Sequence, residues 1–321
     1  MTRTHITPDP ALVRRFVADL DALVAPKTKI GVAVSGGPDS LALLLLAASA
    51  RPGLVHAVTV DHALRAESRA EAEMVASVCK RVGAQHSILT IDWPKRPSSN
   101  LQARAREARY ELLGKWALGQ GISTVATAHH LDDQAETLLM RLARGAGIGG
   151  LGSVRTRRPL VKGAELVRPL LGWRKSELTA LVDATGLQPV DDPSNRDPRH
   201  DRVRMREWLK RAEWAEPERI AASAAWLDEA DQALDWALKP LAASRISRVD
   251  GVVSIDPTDV PRELQRRLLL AAFAELGVHR PRGPELTRAM DTLAKGGVTT
   301  LAGLKLQGGP LWRLRPAPPR R

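Results

Sequence analysis

The feature that most constrains this chain is a glycine-rich turn between an apolar run and an apolar helix. Ile30–Val34 predicts a buried strand, and the turn Ser35-Gly36-Gly37-Pro38-Asp39-Ser40 leads directly into a helical run. Glycines let the backbone turn tightly and approach a ligand, because no Cβ intervenes. Proline suits the first turn of a helix, where its missing N–H costs no hydrogen bond. Free amides and the positive end of the helix dipole then face an anion, so the pattern predicts a phosphate-binding turn.

The side chains of this turn narrow the choice of nucleotide site. No lysine follows the glycines, so the turn is not the G-x-x-x-x-G-K-[ST] loop. SGGxDS after a strand instead resembles the ATP pyrophosphatase (PP-loop) superfamily, whose members split ATP between the α and β phosphates and adenylate a substrate. Ser35 and Ser40 add hydroxyl groups, and Asp39 offers a hard oxygen ligand suited to Mg²⁺. An ordinary strand-to-helix turn is the alternative explanation of these six residues.

The composition is that of a globular protein. A chain of 321 residues has room for two domains and a sizeable core. No apolar run approaches the roughly 20 residues that cross a bilayer, and the N-terminal residues lack the apolar core of a signal peptide. The single cysteine, Cys79, excludes an intramolecular disulfide and a Cys–Cys metal clamp. We therefore expect a cytoplasmic enzyme with no membrane partner; its oligomeric state is open, with a homodimer as one alternative.

The net charge of +12 is concentrated in two segments. Residues 141–175 carry nine Lys or Arg against one acid, residues 196–211 carry seven against three, and the remainder balances at 32 of each. Arginine-rich codon usage would enrich arginine everywhere and would not concentrate the excess. Two focused basic segments favour a polyanionic partner such as a nucleic acid.

Strand-like and helical runs alternate over the first two thirds of the chain, which predicts an α/β fold with a doubly wound parallel sheet. Strands are expected at 30–34, 54–60, 87–91 and 124–128, and helices at 10–25, 68–82, 101–118, 131–144 and 176–185. Ligands of such sheets bind beyond the carboxyl ends of the strands. The glycine-rich turn, Asp61-His62 and His129-His130 would all lie at that edge.

The pattern changes after residue 212 and predicts a second, smaller and mainly helical α+β domain. Helices are expected at 217–238, 261–276 and 284–295, and short strands at 252–255, 298–306 and 311–315. We therefore expect a catalytic domain over 1–212 and a substrate-binding domain over 213–321. Core or interdomain packing, rather than base stacking, is the interpretation given to four tryptophans near the boundary, namely Trp208, Trp214, Trp226 and Trp236.

Two basic segments lie outside this regular pattern. Gly145–Gly152 is too glycine-dense for regular structure and is expected to be a mobile loop. It leads into basic residues that could close over a substrate backbone, with a plain surface loop as the alternative. These residues are Arg155, Arg157, Arg158 and Lys162. In the second segment, a strand would place Arg202, Arg204 and Arg206 on one side, whereas a helix would spread them.

A second chemical motif lies where the fourth strand meets the next helix. Residues 126–137 contain paired histidines followed by three acids. His129 and Asp133 are four residues apart, and Asp133 and Glu136 three apart, so they can share a helix face. Acids in a first turn also complement the helix dipole, but that explains neither the histidines nor the glutamate.

Five motifs occur in the order found in the tRNA(Ile)-lysidine synthetase family, which the chain resembles over about residues 25–210. They are SGGPDS, VDHALR (60–65), NLQARAREARY (100–110), TAHHLDDQAETLLMRLARGAGIGGL (127–151) and DDPSN (191–195). The family pairs a PP-loop domain with a C-terminal substrate domain. One departure follows DDPSN, where the family often shows Arg-Asn-Arg-Ile-Arg and this chain reads Arg202-Val-Arg204-Met-Arg206.

The resemblance implies a two-step reaction that uses ATP and Mg²⁺. The C2 oxygen of the wobble cytidine of a tRNA(Ile) with a CAU anticodon attacks the α-phosphate of ATP, and pyrophosphate leaves. Free L-lysine then displaces AMP to give lysidine.

The resemblance also implies residue roles. Residues 35–40 hold the phosphates, Asp39 and Asp133 serve Mg²⁺, and His129 and Arg109 contact the ATP phosphates or the adenylate. Asp133 and Glu136 grip the lysine ammonium and accept its proton, with the base between them undecided. Asp61, His62 and Arg65 lie near the adenine and ribose. The tRNA backbone is bound by Arg155, Arg157, Arg158, Lys162, Arg202, Arg204 and Arg206.

Three other functions can be weighed against this one. A tRNA thiolase of the same superfamily would need cysteine pairs for sulfur transfer or an iron–sulfur cluster, and Cys79 stands alone. An amide-forming GMP or NAD synthetase would share SGGxDS but neither the basic loop nor DDPSN. A binding module with an inactive nucleotide site is the non-enzymatic alternative, and the presence of Asp39, His129, Asp133 and Glu136 argues against it.

Overall fold

The computed structural model describes residues 6–61, 68–93, 101–152, 154–191, 197, 199 and 201–318. The chain forms two compact units, the first from residues 1–140 and 153–224 and the second from residues 141–152 and 225–321. This division differs from a boundary at 212 in two respects. The chain passes between the units within a long helix, and the glycine-rich segment belongs to the second unit.

The first unit is built on a six-stranded sheet in the order β3-β2-β1-β4-β6-β5. Its strands are β1 Ile30–Ala33, β2 Val55–Asp61, β3 Gln85–Thr90, β4 Thr124–Ala126, β5 Arg157–Val161 and β6 Ala164–Val167. All neighbours are parallel except the hairpin of β5 and β6. The predicted doubly wound sheet is confirmed, with an antiparallel edge that the pattern did not reveal. The edge strand β5 is charged and contains Pro159, so its sequence does not alternate between apolar and polar residues. Proline is tolerated in an edge strand because the outer side of that strand makes no hydrogen bonds to another strand.

Eight helices accompany the chain as far as residue 211 in the described ranges. They are α1 Pro10–Asp21, α2 Pro38–Ala50, α3 Ser68–Val82, α4 Leu101–Gly119, α5 Leu131–Leu142, α6 Ile148–Leu151, α7 Lys175–Ala184 and α8 Asp201–Arg211. Helix α2 is apolar on every side because it packs against α1, α7 and the sheet, which buries each residue from Ser40 to Ala47. The glycine-rich turn therefore leads into a helix that is buried over most of its length.

The described part of the second unit contains the short helix α6, three longer helices and a five-stranded antiparallel sheet in the order β7-β8-β11-β10-β9. Its elements are α9 Pro217–Arg245, β7 Ile246–Val249, β8 Val252–Ile255, α10 Arg262–Glu275, α11 Gly283–Ala294, β9 Val298–Leu301, β10 Leu304–Gln307 and β11 Trp312–Pro316. The predicted strand 298–306 is a hairpin whose turn residues, Ala302 and Gly303, have φ of 49° and 80°. Phe273, Leu306 and Leu314 lie in the core of this unit.

The glycine-rich segment contains the short helix α6 and packs on α9, so the expectation that it lacks regular structure is wrong. A Cβ on Gly149 would lie 3.1 Å from Oδ1 of Asp231, and one on Gly152 would lie 3.0 Å from Oδ1 of Asp228. Glycine is used here because the two backbones approach closely.

The interpretation of the four tryptophans as core residues is also wrong. Trp208, Trp214, Trp226 and Trp236 are 42%, 77%, 67% and 73% exposed. The buried side of α9 is formed by small residues such as Ala221 and Ala224, so its tryptophans lie on the solvent side. The rings of Trp208 and Trp214 meet edge to face with centroids 5.7 Å apart.

No helix in the described ranges combines the length and apolarity that a bilayer crossing requires.

Candidate active site

The turn after β1 presents backbone amides at the start of α2. Gly36 has φ of 86°, and its carbonyl accepts a hydrogen bond from the amide of Val190 at 2.9 Å. The Ser40 hydroxyl donates to the Gly37 carbonyl at 2.9 Å and accepts from the Ser35 amide at 3.1 Å, which fixes the turn from inside. Among the described residues, a Cβ on Gly37 would meet only the Ser35 hydroxyl, at 3.9 Å. These residues therefore leave space for a ligand in front of the N-terminus of α2.

Three carboxylates converge on the side chain of His130 beside this turn. Nε2 of His130 lies 3.6 Å from Oδ2 of Asp39 and 3.6 Å from Oδ2 of Asp133, and Nδ1 lies 3.6 Å from Oδ2 of Asp132. The imidazole is 1% exposed. Asp39 comes from α2 and the other two acids from α5, which follow the parallel strands β1 and β4. The parallel pairing of these strands brings both helix N-termini to one edge of the sheet.

The adjacent histidines differ in charge at neutral pH. Burial lowers the pKa of His129 to about 3, and Arg168, Arg106 and Arg109 add to the effect while Asp133 opposes it. Burial also disfavours the charged form of His130, but its contacts with Asp132, Asp39 and Asp133 outweigh burial and raise its pKa to about 9. A neutral imidazole, hydrogen-bonded to Thr127 Oγ1 at 3.1 Å, therefore stands next to an imidazolium.

Asp132 and Asp133 are held ionised in spite of burial. Burial raises the pKa of Asp132, but His130, the Lys175 amide and Arg174 together hold that pKa well below its usual range. The Lys175 amide donates to Asp132 Oδ2 at 2.7 Å. The pKa of Asp133 is also lowered, because the charges of His130 and Arg202 outweigh the effect of burial. Asp132 and Asp133 therefore stay ionised at neutral pH, each beside cationic partners.

Glu136 lies beneath this pocket and binds two arginines of α8. Nε of Arg206 donates to Oε1 at 2.8 Å, and Nε of Arg202 donates to Oε2 at 3.0 Å. Nη2 of Arg202 also lies 3.5 Å from Oδ1 of Asp133, which links the two acids. The arginine segment forms a helix, so Arg202 and Arg206 share one face and Arg204 faces away to pair with Asp201.

The residues predicted to bind nucleic acid are placed in different settings. Arg157 on β5 pairs with Glu165 and donates to the Leu23 carbonyl, whereas Arg158 lies on the opposite face over the Tyr110 ring, 4.6 Å from its centroid. Arg155 and Lys162 are exposed at either end of β5.

The predicted adenine side of the site is described in part. Asp61 ends β2 at the same edge as the turn and is buried. His62 and Arg65 fall outside the described residues.

Sequence reasoning missed two contributors to the pocket. Lys175 begins α7, and its Nζ lies 3.7 Å from Oδ2 of Asp39. Arg174 precedes it and pairs with Asp132 and Glu218. No spacing rule connects residue 39 with residue 175, so only the fold reveals this contact. His130 was visible as the second of the paired histidines, but its role among the carboxylates was not.

Comparison with known proteins places these residues in a family. The family model for a PP-loop domain matches residues 11–213. The tRNA(Ile)-lysidine synthase of Novosphingobium aromaticivorans is 48% identical over 311 residues, covering 96% of this chain and 94% of the relative. That of Zymomonas mobilis is 42% identical over 298 residues, covering 91% and 90%.

A solved structure supports the fold. The chain is similar to the U34-tRNA thiolase of Methanococcus maripaludis, with a TM-score of 0.56 and 15% identity, over 68% of this chain and 79% of the thiolase. The likeness concerns the fold alone. The sequence relatives, in contrast, match both units of this chain along nearly their whole length. The chain belongs to the tRNA(Ile)-lysidine synthase family of ATP-dependent ligases.

Proposed function

We propose that this chain joins free L-lysine to the wobble cytidine of a tRNA(Ile) with a CAU anticodon, through an adenylated tRNA. The main support is the convergence of Asp39 and Asp133 on His130 beside the open N-terminus of α2. Such a pocket combines an anion-binding helix N-terminus with paired carboxylates. The first suits the phosphates of ATP, and the second suit the ammonium group of lysine.

The first step activates a poor leaving group. The C2 oxygen of the cytosine attacks the α-phosphorus of ATP, and the bond from that phosphorus to the bridging oxygen breaks, so that pyrophosphate leaves. The backbone amides of Gly36, Gly37, Asp39 and Ser40 and the dipole of α2 would stabilise the charge that builds on the phosphates. Arg109 and the neutral His129 are proposed to contact the phosphates or the adenylate, with Asp61, His62 and Arg65 near the adenine and ribose.

Asp39 and Asp133 are proposed to hold Mg²⁺. Oδ1 of Asp39 is buried without a hydrogen-bond partner among the described residues, and carboxylate oxygens together with nucleotide phosphates are the ligands that Mg²⁺ prefers. Within the described ranges, no group of three or more His, Cys, Asp and Glu side chains forms a metal centre, so the nucleotide would supply the remaining ligands. When bound, the ion neutralises charge on the phosphates.

The second step requires a free amine. The ε-ammonium of lysine must lose a proton before its nitrogen attacks C2, the C–O bond breaks and AMP leaves. Asp133 and Glu136 are the proposed partners of the ammonium. Because both oxygens of Glu136 already accept from Arg202 and Arg206, Asp133 is the better placed of the two to take the proton.

The tRNA backbone is proposed to bind the basic residues of the first unit. Arg155, Arg158 and Lys162 are exposed around β5, and Arg157, Arg202, Arg204 and Arg206 are exposed in part beside their carboxylate partners. Replacing Arg155, Arg157 and Arg158 with alanine should weaken tRNA binding and flatten its salt dependence. Unaltered affinity across a salt series would make this stretch a plain surface element.

The decisive experiment incubates the purified chain with ATP, labelled lysine and total tRNA. We expect label in the RNA only when ATP is present. Asp133→Asn should abolish lysine transfer while ATP still binds, and Glu207→Gln, an exposed carboxylate on α8, should leave transfer unchanged. Binding of RNA without incorporation of label would favour a binding module. Pyrophosphate release driven by a small acid instead of tRNA would favour an amide-forming enzyme.

The same proposal places the chain in the cytoplasm, where tRNA, ATP and lysine occur together. A homodimer is a hypothesis that sedimentation of the purified chain would test.

A further inference from the structure

Four arginines gather around Tyr110 beside the candidate active site. For three of them, the guanidinium carbon lies close to the centroid of the Tyr110 ring, at 4.9 Å for Arg106, 5.5 Å for Arg109 and 4.6 Å for Arg158. Arg168, which is 4% exposed, interacts electrostatically with Tyr110, and its Nη1 donates to the Arg155 carbonyl. We call these four side chains and Tyr110 the arginine–tyrosine cluster.

Among the described residues, no carboxylate lies within ion-pair distance, 4.0 Å, of the arginines of the cluster. In the same part of the chain, Nε of Arg109, Nε of Arg168 and the hydroxyl of Tyr110 are buried without a partner in hydrogen-bond geometry. Burial lowers the pKa of Arg109 and of Arg168, and in both cases Tyr110 opposes the effect while Arg106 adds to it. Buried donors and mutually repelling cations are costly unless an anion joins them.

The sheet order places the cluster to one side of the phosphate-binding turn. Arg168 directly follows β6, whose carboxyl end lies at the same edge as that of its parallel neighbour β4. Strand β4 stands between β6 and β1, so the cluster lies about 10 Å along the sheet from the turn, at about 4.8 Å per strand. Asp61, on the proposed adenine side, ends β2 and lies on the other side of β1. The cluster therefore flanks the pocket on the side away from the proposed adenine position.

Two further observations favour an RNA phosphate over a nucleotide phosphate as the missing anion. The proposed site of the triphosphate is the set of amides after β1, whereas the cluster includes the exposed Arg158 and adjoins the exposed Arg155, whose carbonyl accepts from Arg168. Arg106, Arg109 and Arg168 also act electrostatically on His129, so the charge of the cluster is felt within the pocket.

We propose that Arg106, Arg158 and Arg168, arranged around Tyr110, bind a phosphodiester of the RNA strand next to the nucleotide that is modified. The inference rests on the proposed function and names how its RNA substrate is held. Guanidinium forks match the paired oxygens of a phosphate, and the Tyr110 hydroxyl adds a donor between them. Holding this phosphate would fix the strand while its base reaches the phosphate-binding turn.

The test uses the full chain and anticodon stem-loop RNAs, each carrying one neutral methylphosphonate linkage near the wobble nucleotide. Arg106→Ala is the test variant because Arg106 is exposed on α4, and Arg104→Ala is its control because Arg104 is exposed on the same helix outside the cluster. We expect Arg106→Ala to weaken binding of the unmodified RNA about tenfold and to lower the salt slope by about one. At one linkage, the neutral methylphosphonate should weaken RNA binding by the wild type by a similar factor. The same linkage should not weaken RNA binding by Arg106→Ala any further. Arg104→Ala should behave as wild type.

Two results would overturn the proposed phosphodiester site. In the first, neutralising a linkage weakens RNA binding by Arg106→Ala as much as it weakens binding by the wild type, at every linkage. In the second, Arg106→Ala binds ATP or pyrophosphate more weakly while its RNA affinity is unchanged. If the wild-type chain modifies the RNA but no linkage is coupled to Arg106, only the proposed phosphodiester site is wrong. If the wild-type chain neither binds nor modifies the RNA, the proposed function fails together with that site.

Discussion

Replacing Glu136 with alanine should destabilise the first unit by about 3 kcal/mol. The carboxylate is 2% exposed and accepts three charge-assisted contacts, at 2.8 and 3.2 Å from Arg206 and at 3.0 Å from Arg202. Removing one partner of a buried ion pair costs about 3–5 kcal/mol, because the other charge is left without compensation. The arginine side chains are 40% and 25% exposed, so water screens part of the loss and the lower end of that range applies.

The assay is urea unfolding combined with hydrogen exchange of peptides from α5 and α8. The two units can unfold separately, so exchange assigns the change to the helices that Glu136 joins. Glu207→Ala is the matched control, since Glu207 is an exposed carboxylate of α8 that pairs with Lys210 at 2.8 Å. We expect faster exchange in both helices for Glu136→Ala and no measurable change for the control.

A loss below about 0.5 kcal/mol would refute the reasoning, because that is the range of a surface ion pair. Unchanged exchange in α8 would also contradict it, since α8 contributes both arginines. Loss of lysine transfer without any loss of stability would instead favour a direct role of Glu136 toward the amine.

Three further predictions follow from local geometry. Gly36→Ala should weaken ATP binding, measured by calorimetry, because the φ of 86° strains an L-residue by about 1–2 kcal/mol and the new Cβ would lie 2.7 Å from Val190 Cγ2. Gly53→Ala is the control, because Gly53 has φ of 74° and no described atom lies within 4 Å of its new Cβ; it should add backbone strain without a clash and leave ATP binding intact. The Cys79 thiol, whose pKa burial raises to about 12, should resist a thiol reagent at pH 7–9 in the native chain and react quickly in urea; fast native labelling would contradict its burial. Gly308→Ala should destabilise the second unit by about 3 kcal/mol in urea unfolding, because its Cβ would lie 2.2 Å from the Leu293 carbonyl oxygen; an unchanged midpoint would refute this.

Much of the first unit could be predicted because its signals are local. The strand, the glycine-rich turn and the apolar helix α2 are encoded in about twenty consecutive residues, and alternation of strands and helices predicts one shared edge. The hairpin of β5 and β6 could not be predicted, since the charged edge strand β5 shows no alternation of buried apolar and exposed polar residues. The exposed tryptophans were misjudged for a related reason. Burial depends on what packs against a helix, and the helix's own sequence does not specify that.

The sequence by itself determined the nucleotide turn, the acidic motif after the fourth strand and the family to which they belong, because each is written in neighbouring residues. Only the tertiary structure decided which charges meet. Asp39 and Lys175 are distant in sequence and 3.7 Å apart in space, and His130 is cationic only because three carboxylates surround it. Glu136 likewise binds two arginines from a helix whose path no local pattern predicts. Electrostatic interactions depend on distance through space and on burial, and both are properties of the folded chain.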